Sequence, residues 1–388
     1  MYIADDIFNC LDCCQPVVFT MASYLFLRVA VSFIFIVTYS FATDTSSFPK
    51  NFLLGTSSSS YQIEGAWNES GKGESIWDWW THENPNFIRD GSNGDVACDS
   101  FHKYKEDVKL LNDLKVDFYR FSISWSRILP TGYANVINQE GLNYYKNLID
   151  ELLANGIEPF VTLYHWDHPE IFERMGGWTN EMMVEWISDY ARIVFKELSP
   201  KVKYFATLNE PNVLCEEGYE TKVKAPGKNL GSPGVFLCMH NMLKAHAKIY
   251  HIYDEEFRKH RNGTIGIVLP CSGGLPKYLN DTAAVDMYFQ FKCGWIGHAI
   301  FSKTGDYSQI MKSHVAENSK LAGYPRSLLP EFSSEWVQYI KERFGLVHVN
   351  FTDSNRKRTP KWSMDWYKDV IATRKLNFTW ELPTVIHI

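Results

Sequence analysis

The chain has 388 residues, of which 45% are hydrophobic and 22% are charged. These proportions are those of a globular protein, and they exclude a disordered, collagen-like or coiled-coil chain. The net charge is −6 and the basic residues are scattered, so the charge pattern does not indicate a nucleic-acid partner. Aromatic residues reach 15%, an excess found in proteins that stack flat ligand faces.

Residues 21–42 predict a secretory signal peptide. Arg28 precedes a run of mostly apolar residues that ends at Ser40, Phe41 and Ala42, with small residues at the cleavage positions. The run is shorter than the about 20 residues that span a bilayer, so a signal anchor is the less favoured alternative and no stable membrane span is expected after cleavage. Residues 1–20 fit a leader poorly and indicate an alternative upstream start. The predicted location is the extracellular space or the lumen of the secretory pathway.

The cysteine pattern fits an oxidising compartment incompletely. Cys10, Cys13 and Cys14 precede the signal and form only a lone C-x-x-C, which does not indicate a metal or redox site. The odd number after residue 42 leaves at least one thiol free or intermolecular, or means that a partner lies in a missing segment. These five cysteines are Cys98, Cys215, Cys238, Cys271 and Cys293. Sequons for N-glycosylation, which fit a luminal chain, are at Asn68, Asn262, Asn280, Asn350 and Asn377.

Short β-rich runs alternate with helical patterns from residue 48 onward. The runs are 52–56, 116–125, 158–166, 204–210 and 264–269. Apolar residues at helical spacing over 142–153 end at Asn155 and Gly156, and 182–198 predicts a second amphipathic helix. This alternation predicts an α/β fold with a parallel sheet, either open and doubly wound or closed into a barrel. Neither of the glycine-rich nucleotide-binding motifs, G-x-G-x-x-G and G-x-x-x-x-G-K-[ST], follows the early strands, and no cofactor is expected.

Polar side chains lie at or near the ends of the predicted strands, where parallel sheets collect their chemistry. They are Gln62, Arg120, His165, Asn209 and Glu210. Cleavage of an acetal needs a proton on the leaving oxygen and a stabilised oxocarbenium-like carbon, and most glycosidases use two carboxyl groups for this. Glu210 is a candidate proton donor, and the alternative is a solvated loop residue. Gln62 and His165 either bind a ligand or are satisfied polar residues under a loop.

A metal site near the third run is not favoured. His165, Asp167 and His168 are close in sequence, but no third ligand follows at a suggestive distance from the two histidines. We therefore expect no metal.

Several segments together resemble glycoside hydrolase family 1, in the style of animal β-glucosidases, myrosinases and lactase-phlorizin hydrolase. The first is FPKNFLLGTSSSSYQIEGA from residue 48, and the strongest of the others is TLNEP at 207–211. The remaining segments are 119–127, 156–167, 344–346 and 358–363. The resemblance covers almost everything from residue 48 to about residue 372.

This resemblance implies a (β/α)8 TIM barrel and retaining hydrolysis of the O- or S-glycosidic bond of a β-glucoside-like substrate. It implies that Glu210 is the general acid/base and that Gln62 and His165 bind sugar hydroxyls. It further implies that Asn209 holds the 2-hydroxyl, that Trp166 forms a wall of the subsite, and that Arg120 supports the nucleophilic carboxylate from below.

The family's second carboxylate has no counterpart in this sequence. In the family this carboxylate lies in an Ile/Val-Thr-Glu-Asn-Gly segment on the seventh strand. Here the residues up to 341 resemble the family's helix before strand six, and those from 342 resemble the part after strand eight. We therefore predict that 43–388 is one incomplete barrel domain of about five strands plus a carboxyl-terminal segment. Pro270 also stands where the family commonly has Asn. Other acids, Glu331, Glu335 and Glu381, do not end readable strands.

Without a nucleophile the retaining route is closed, so we expect a catalytically impaired or inactive chain. We expect either an open partial barrel, exposed at the fifth strand unless 344–351 covers that edge, or a chain that is degraded in the secretory pathway. The deletion is explained by alternative splicing or by faulty gene prediction. A non-catalytic sugar-binding or interaction protein is the alternative function, and a structural barrel is a weaker one.

Overall fold

The computed structural model describes residues 48, 52–258, 263–278, 281–340, 347–349 and 358–360. The chain divides into two compact units, Met1–Phe52 with Asn377–Thr384 and Leu53–Leu376 with Val385–Ile388, and the description below concerns the second. The predicted signal peptide, the first three cysteines, the junction at 341–342 and the sequons other than Asn68 fall, at least in part, outside the described residues.

Five parallel strands form one sheet in the described part of the chain, and they are hydrogen-bonded in sequence order. They are β1 (Gly55–Ser57), β2 (Phe118–Ser122), β3 (Glu158–Tyr164), β4 (Tyr204–Asn209) and β5 (Thr264–Val268). The five predicted runs are therefore confirmed as strands, each shorter than the run that predicted it. Sequential order in a parallel sheet is the order of a β/α barrel, and the sheet holds five of the eight strands that closure requires.

Helices follow every strand of the sheet. The first seven are α1 (Ser60–Ile63), α2 (Ile76–Glu83), α3 (Ser100–Leu114), α4 (Trp125–Ile128), α5 (Gln139–Ala154), α6 (Glu170–Arg174) and α7 (Met183–Leu198). The others are α8 (Pro211–Tyr219), α9 (Gly231–Ile252), α10 (Thr282–Phe289), α11 (Trp295–Phe301), α12 (Gln309–Leu321) and α13 (Ser334–Ile340). Short 3₁₀ turns occur at Pro85–Phe87 and Gly177–Thr179, and π-helical turns at Tyr253–Phe257 and Gln290–Gly294.

The two faces of the sheet have different partners. Phe121, Val161 and Phe205 belong to the main core, which includes the helices. Phe118 and Phe160 belong to a separate small cluster with Ala206 and Val268. Because successive side chains of a strand point to opposite faces, this second cluster marks the interior of the incomplete barrel.

Helix α5 shows how the pattern in the sequence produces the core. Leu142, Tyr145 and Leu152 are buried on one side of it, as their spacing predicts, and each fully buried apolar side chain contributes about 1.5 to 3 kcal/mol. The helix gives way to Asn155, and Gly156 follows with φ +74. That left-handed conformation is easiest for glycine, so the predicted stop is confirmed.

A buried ion pair fixes the segment that follows β1. Arg127 Nε donates to Glu64 Oε2 at 2.9 Å, and the Tyr145 hydroxyl donates to Glu64 Oε1 at 2.6 Å. Arg127 Nη2 also donates to the carbonyl of Gly65 at 2.9 Å. A buried pair with its remaining groups hydrogen-bonded is costly to break, because removing one partner leaves a desolvated charge.

Two disulfides reinforce the later part of the chain. Cys215 of α8 is bonded to Cys238 of α9, and Cys271 beyond β5 is bonded to Cys293. Among the described cysteines, Cys98 is free and exposed, which agrees with the prediction that an odd thiol remains.

The sheet is open beside β5 in the described part of the chain. Strand β5 pairs with β4, while β6 (Val347–Val349) pairs antiparallel with β7 (Arg358–Pro360) in a separate ladder. The described residues of this segment, Val347–Val349, therefore pair in the separate ladder and not with β5, and the predicted cover of the β5 edge by 344–351 lies in part outside the described residues. None of the described helices has both the length and the apolar character required to cross a bilayer.

Candidate active site

A bulge in β4 turns Asn209 toward the interior of the barrel. Ala206 is paired with Gly266 and Asn209 with Val268, so β4 contains one residue more than β5 between these pairs. Thr207 bonds to His246 of α9 at 2.8 Å, and Leu208 lies in the helix-side core. Simple alternation from Ala206 would have turned Leu208 inward and Asn209 outward. Because the bulge adds one residue, Leu208 faces the helices and Asn209 faces the interior.

Asn209 bonds three site residues through one side chain. Arg120 Nη2 donates to its Oδ1 at 2.5 Å. Its Nδ2 lies 3.0 Å from His165 Nε2 and donates to Glu210 Oε2 at 3.3 Å. Because a guanidinium can only donate, Oδ1 must face Arg120 and the amide hydrogens must face His165 and Glu210. In this arrangement both amide hydrogens are engaged within the protein.

The same reasoning assigns the tautomer of His165. Its Nε2 accepts from Asn209, so the proton of the neutral ring is on Nδ1. Burial, with the nearby cations of Arg120 and Lys224, lowers the pKa of His165 to about 3, and the ring is neutral at ordinary pH. Nδ1 is buried and has no hydrogen-bond partner among the described residues, so a donor remains there for a ligand oxygen.

Arg120 is a buried cation supported by neutral partners. It is 8% exposed, and its Nε donates to Thr162 Oγ1 at 2.8 Å in addition to the bond with Asn209. Burial lowers its pKa, and the charge of Glu210 acts in the opposite direction. No carboxylate of the described residues forms an ion pair with it. Its hydrogen-bond partners among the described residues are Thr162 and Asn209, both neutral.

Glu210 lies at the junction between β4 and α8. Its backbone N–H donates to the carbonyl of Val268 at 2.9 Å, and its φ of 44 is in the left-handed region. Pro211 occupies the first turn of α8, where its missing N–H costs nothing. The Glu210 side chain does not cap the helix and is partly exposed, as a group that exchanges protons with a ligand requires.

Trp166 forms a wall beside these groups. Its indole Nε1 donates to the carbonyl of Asn209 at 2.7 Å, and Lys224 Nζ lies 4.4 Å from the centre of its ring. The backbone φ of Trp166 is 67, a conformation that a bulky residue adopts only when its surroundings impose it. The end of β3 is therefore held in place by contacts from the end of β4.

Gln62 is not joined to this cluster by a direct bond. It lies in α1, is exposed, and accepts a hydrogen bond from Ser59 Oγ at 2.6 Å. Its place after β1 is at the same end of the sheet as the other polar residues, because all five strands are parallel.

Sequence reasoning did not identify Thr162 or Lys224. Thr162 is two residues after Phe160 and lies on the same face of β3. The alternation of side chains along a strand could therefore have identified Thr162 as an inward-facing residue. No pattern identified Lys224, since it reaches Trp166 from a segment 58 positions later in the sequence.

His168 has a structural position. Its Nδ1 lies 2.9 Å from the Tyr164 hydroxyl and its Nε2 lies 3.2 Å from Glu173, so both ring nitrogens are occupied. Nowhere among the described residues do three or more metal-ligating side chains lie together.

The other candidate acids do not lie with Glu210 in any observed contact. Glu331 and Glu335 are exposed, and Glu381 lies outside the described residues. Retaining hydrolysis places two carboxyl groups about 5 to 5.5 Å apart. Among the described residues, Glu210 is the carboxylate bonded within the cluster.

The sequence model of glycosyl hydrolase family 1 matches residues 44–333 and 316–376. Myrosinase 1 from Brevicoryne brassicae is 46% identical over 310 residues, which is 79% of this chain and 66% of that protein. The solved structure of aphid myrosinase has a TM-score of 0.73 at 46% identity, covering 76% of this chain and 64% of that one. A β-glucosidase from the fungus Humicola insolens, solved in complex with glucose, has a TM-score of 0.69 at 39% identity, covering 76% and 62%.

This chain thus spans less than two thirds of the length of the relatives that it matches. The two segments matched by the family overlap at 316–333 instead of forming one continuous match. Together with the five-stranded sheet, this agrees with the predicted truncated barrel.

Replacing Thr162 by valine tests the support of Arg120. The substitution keeps the shape of the side chain but leaves the Nε–H of a buried guanidinium unpaired, which costs about 1 to 3 kcal/mol. Thr162→Ser retains the hydroxyl and serves as the matched control. Urea unfolding should show a larger loss for Thr162→Val than for Thr162→Ser. A valine variant as stable as the serine variant would contradict the role of this hydrogen bond.

Proposed function

This chain belongs to glycosyl hydrolase family 1, and on that premise we propose that it carries the acid/base half of a β-glycosidase site for β-glucoside-like substrates. Glu210 is the proton donor in this proposal. His165 and Gln62 bind sugar hydroxyls, and Trp166 forms the wall of the subsite. Arg120 and Asn209 orient the reacting groups, and Asn209 binds the 2-hydroxyl by exchanging one of its present amide bonds.

The unpartnered Nδ1–H of His165 is the observation that carries this proposal. A buried donor without a partner costs free energy of about 1 to 3 kcal/mol, and a bound hydroxyl would remove that cost. The donor lies on the same ring that accepts from Asn209, whose amide also reaches Glu210. A ligand hydroxyl at His165 would therefore lie close to the proposed proton donor. The glucose complex of the fungal relative supports a glucose-like sugar.

We further propose that the chain is impaired in hydrolysis. Retention needs a carboxylate that attacks the anomeric carbon from the face opposite the leaving group. Among the described residues only Glu210 has the contacts of a catalytic carboxyl, and Arg120 has no carboxylate partner. Glu210 can protonate a leaving oxygen, but the described residues offer no second carboxylate on which the glycosyl-enzyme intermediate could form.

A small anion that replaces the missing nucleophile tests whether Glu210 acts as the proton donor. Azide should attack the anomeric carbon of 2,4-dinitrophenyl β-glucoside from the open face, expelling the aryloxide and giving the α-glucosyl azide. We expect no turnover above background without azide, and at least a tenfold increase with it. Phenyl β-glucoside, whose leaving group needs a proton, should depend on Glu210. Glu210→Gln should therefore slow the azide reaction of the phenyl substrate by about 10²-fold or more and spare the dinitrophenyl one.

The configuration of the product distinguishes the outcomes. A β-configured product, or hydrolysis to glucose without azide, would reveal a second catalytic carboxylate in this chain and would contradict the proposed impairment. Folded protein that gives no azide product would contradict the proposed subsite.

We propose that the protein enters the secretory pathway, by the signal at 21–42. The two disulfides support this, because such bonds persist mainly in oxidising compartments. Asn68 is exposed and thus open to glycosylation there.

Expression in insect cells tests this proposal. The secreted protein should begin near residue 43, and glycosidase treatment should lower its apparent mass. Asn68→Gln should remove part of that shift, whereas Asn93→Gln, at an exposed asparagine outside any sequon, should not. Retention of residues 21–42 in cytosolic, unglycosylated protein would contradict the proposal.

A further inference from the structure

A buried chain of hydrogen bonds joins the ends of three strands. Ser122, at the end of β2, donates from Oγ to Ser60 Oγ at 3.1 Å, and Ser60 N donates back to Ser122 Oγ at 2.7 Å. Ser60 Oγ donates in turn to Asp167 Oδ2 at 2.6 Å. Ser60 follows β1 and Asp167 follows β3. All three residues are at most 3% exposed, so water does not compete for these bonds.

Each member of the chain is adjacent to part of the proposed sugar site. Ser122 is two residues after Arg120, and Ser60 is two residues before Gln62. Asp167 directly follows His165 and Trp166. A link between these three positions therefore constrains the backbone that presents the site.

Trp166 is the residue whose conformation depends most on this constraint. Its left-handed φ of 67 costs of order 1 to 3 kcal/mol and persists only when neighbouring contacts impose it. On one side the contact is the indole bond to Asn209. On the other side the next residue in the chain, Asp167, is anchored through its carboxyl by Ser60.

Asp167 is not fully satisfied by these bonds. Its Oδ1 is buried and has no hydrogen-bond partner among the described residues. It lines a cavity of about 10 Å³, at the lower limit of what one water molecule occupies. The charged groups of that cavity are Glu64, Lys72, Asp78 and Arg127. Lys72 is paired with Asp78 at 2.5 Å and Arg127 with Glu64 at 2.9 Å, so Asp167 is the carboxyl without a cation of its own.

We propose that Asp167 is a positioning residue, and that the chain Ser122–Ser60–Asp167 holds His165 and Trp166 against Asn209. Asp167 touches no substrate in this proposal and acts through the two residues before it. The consequence for sugar binding rests on the proposed function, but the positioning itself does not.

Protonation of Asp167 should control the position of His165 and Trp166. Burial, with a smaller contribution from Glu64, raises its pKa from 3.8 to about 7, against the effects of Ser60, the backbone N–H of His165 and Lys72. Since the folded value lies above the unfolded one, the neutral acid favours the folded state. The stabilisation is full below about pH 4 and is lost as the pH rises through 7. Above pH 7 the buried carboxylate has no cation partner of its own, and its desolvation cost favours a displacement of Asp167 from this site.

The indole N–H resonance of Trp166 in a nitrogen-15 correlation spectrum reports the position directly. It is assigned by its loss in Trp166→Phe. In the wild-type chain we expect its shift to titrate with a midpoint near pH 7, and His165 does not interfere because its pKa is about 3. Asp167→Asn keeps an acceptor for Ser60 without an ionisable group, and should hold the shift at the low-pH value from pH 5 to 9. Asp167→Ala should displace it at every pH.

Two further variants separate positioning from general stability. Ser60→Ala breaks the link without removing the carboxyl, and should also displace the Trp166 resonance. Ser188→Ala removes another buried hydroxyl, bonded to Val184 within α7, and should leave the resonance unmoved although the protein is destabilised.

A Trp166 resonance of the wild-type chain that does not change from pH 5 to 9 would overturn the proposal. So would Asp167→Ala and Ser60→Ala variants whose Trp166 resonance lies at the wild-type position. This readout uses no sugar and no azide, so failure of the proposed function and failure of the positioning role give different results.

Discussion

The hydrogen bond from Arg120 to Asn209 determines how the rest of the site is arranged. Arg120 has only donors, so it fixes which end of the Asn209 amide faces it, and the amide hydrogens are then directed to His165 and Glu210. That choice sets the tautomer of His165 and leaves one buried donor for a ligand. A hydrogen bond to a charged group stabilises by about 1.5 to 3 kcal/mol, so the bond from Arg120 is stronger than the neutral bond between Asn209 and His165 that depends on it. The bulge in β4 is the backbone feature that makes the contact possible, because it turns Asn209 inward.

Local patterns predicted the five strands of the sheet and two of the helices. Strands buried on both faces are nearly continuous apolar runs, and β2 to β5 lie within the predicted runs. Helices α5 and α7 follow the periodic patterns over 142–153 and 182–198. The positions of Glu210, Asn209 and His165 at strand ends followed from the same strand boundaries. The family, named from its motifs, is confirmed by the match to residues 44–333 and 316–376.

The contacts that organise the site were not predictable in this way. The bonds of Arg120 to Thr162 and of Ser60 to Asp167 join residues 42 and 107 positions apart. Hydrophobic periodicity has no information on such pairs, since they arise when parallel strands bring distant segments to one edge. The bulge at Ala206–Asn209 depends on the register between two strands, which neither sequence run reveals alone. The pairing of β6 with β7 likewise could not be read from 344–351 by itself.

Among the described residues, Glu210 is the carboxylate bonded within the cluster and Arg120 has no carboxylate ion-pair partner, and we attribute the proposed loss of hydrolysis to the strands missing from the barrel. A chimera tests this most directly. The segment of aphid myrosinase that contains strands six to eight would be inserted between residues 341 and 342, and hydrolysis of 4-nitrophenyl β-glucoside would be measured beside the parent chain. The account predicts hydrolysis with retained configuration in the chimera, loss of most of it in the chimera with Glu210→Gln, and none above background in the parent. A folded chimera without activity, or a parent chain that hydrolyses the substrate through Glu210, would contradict it.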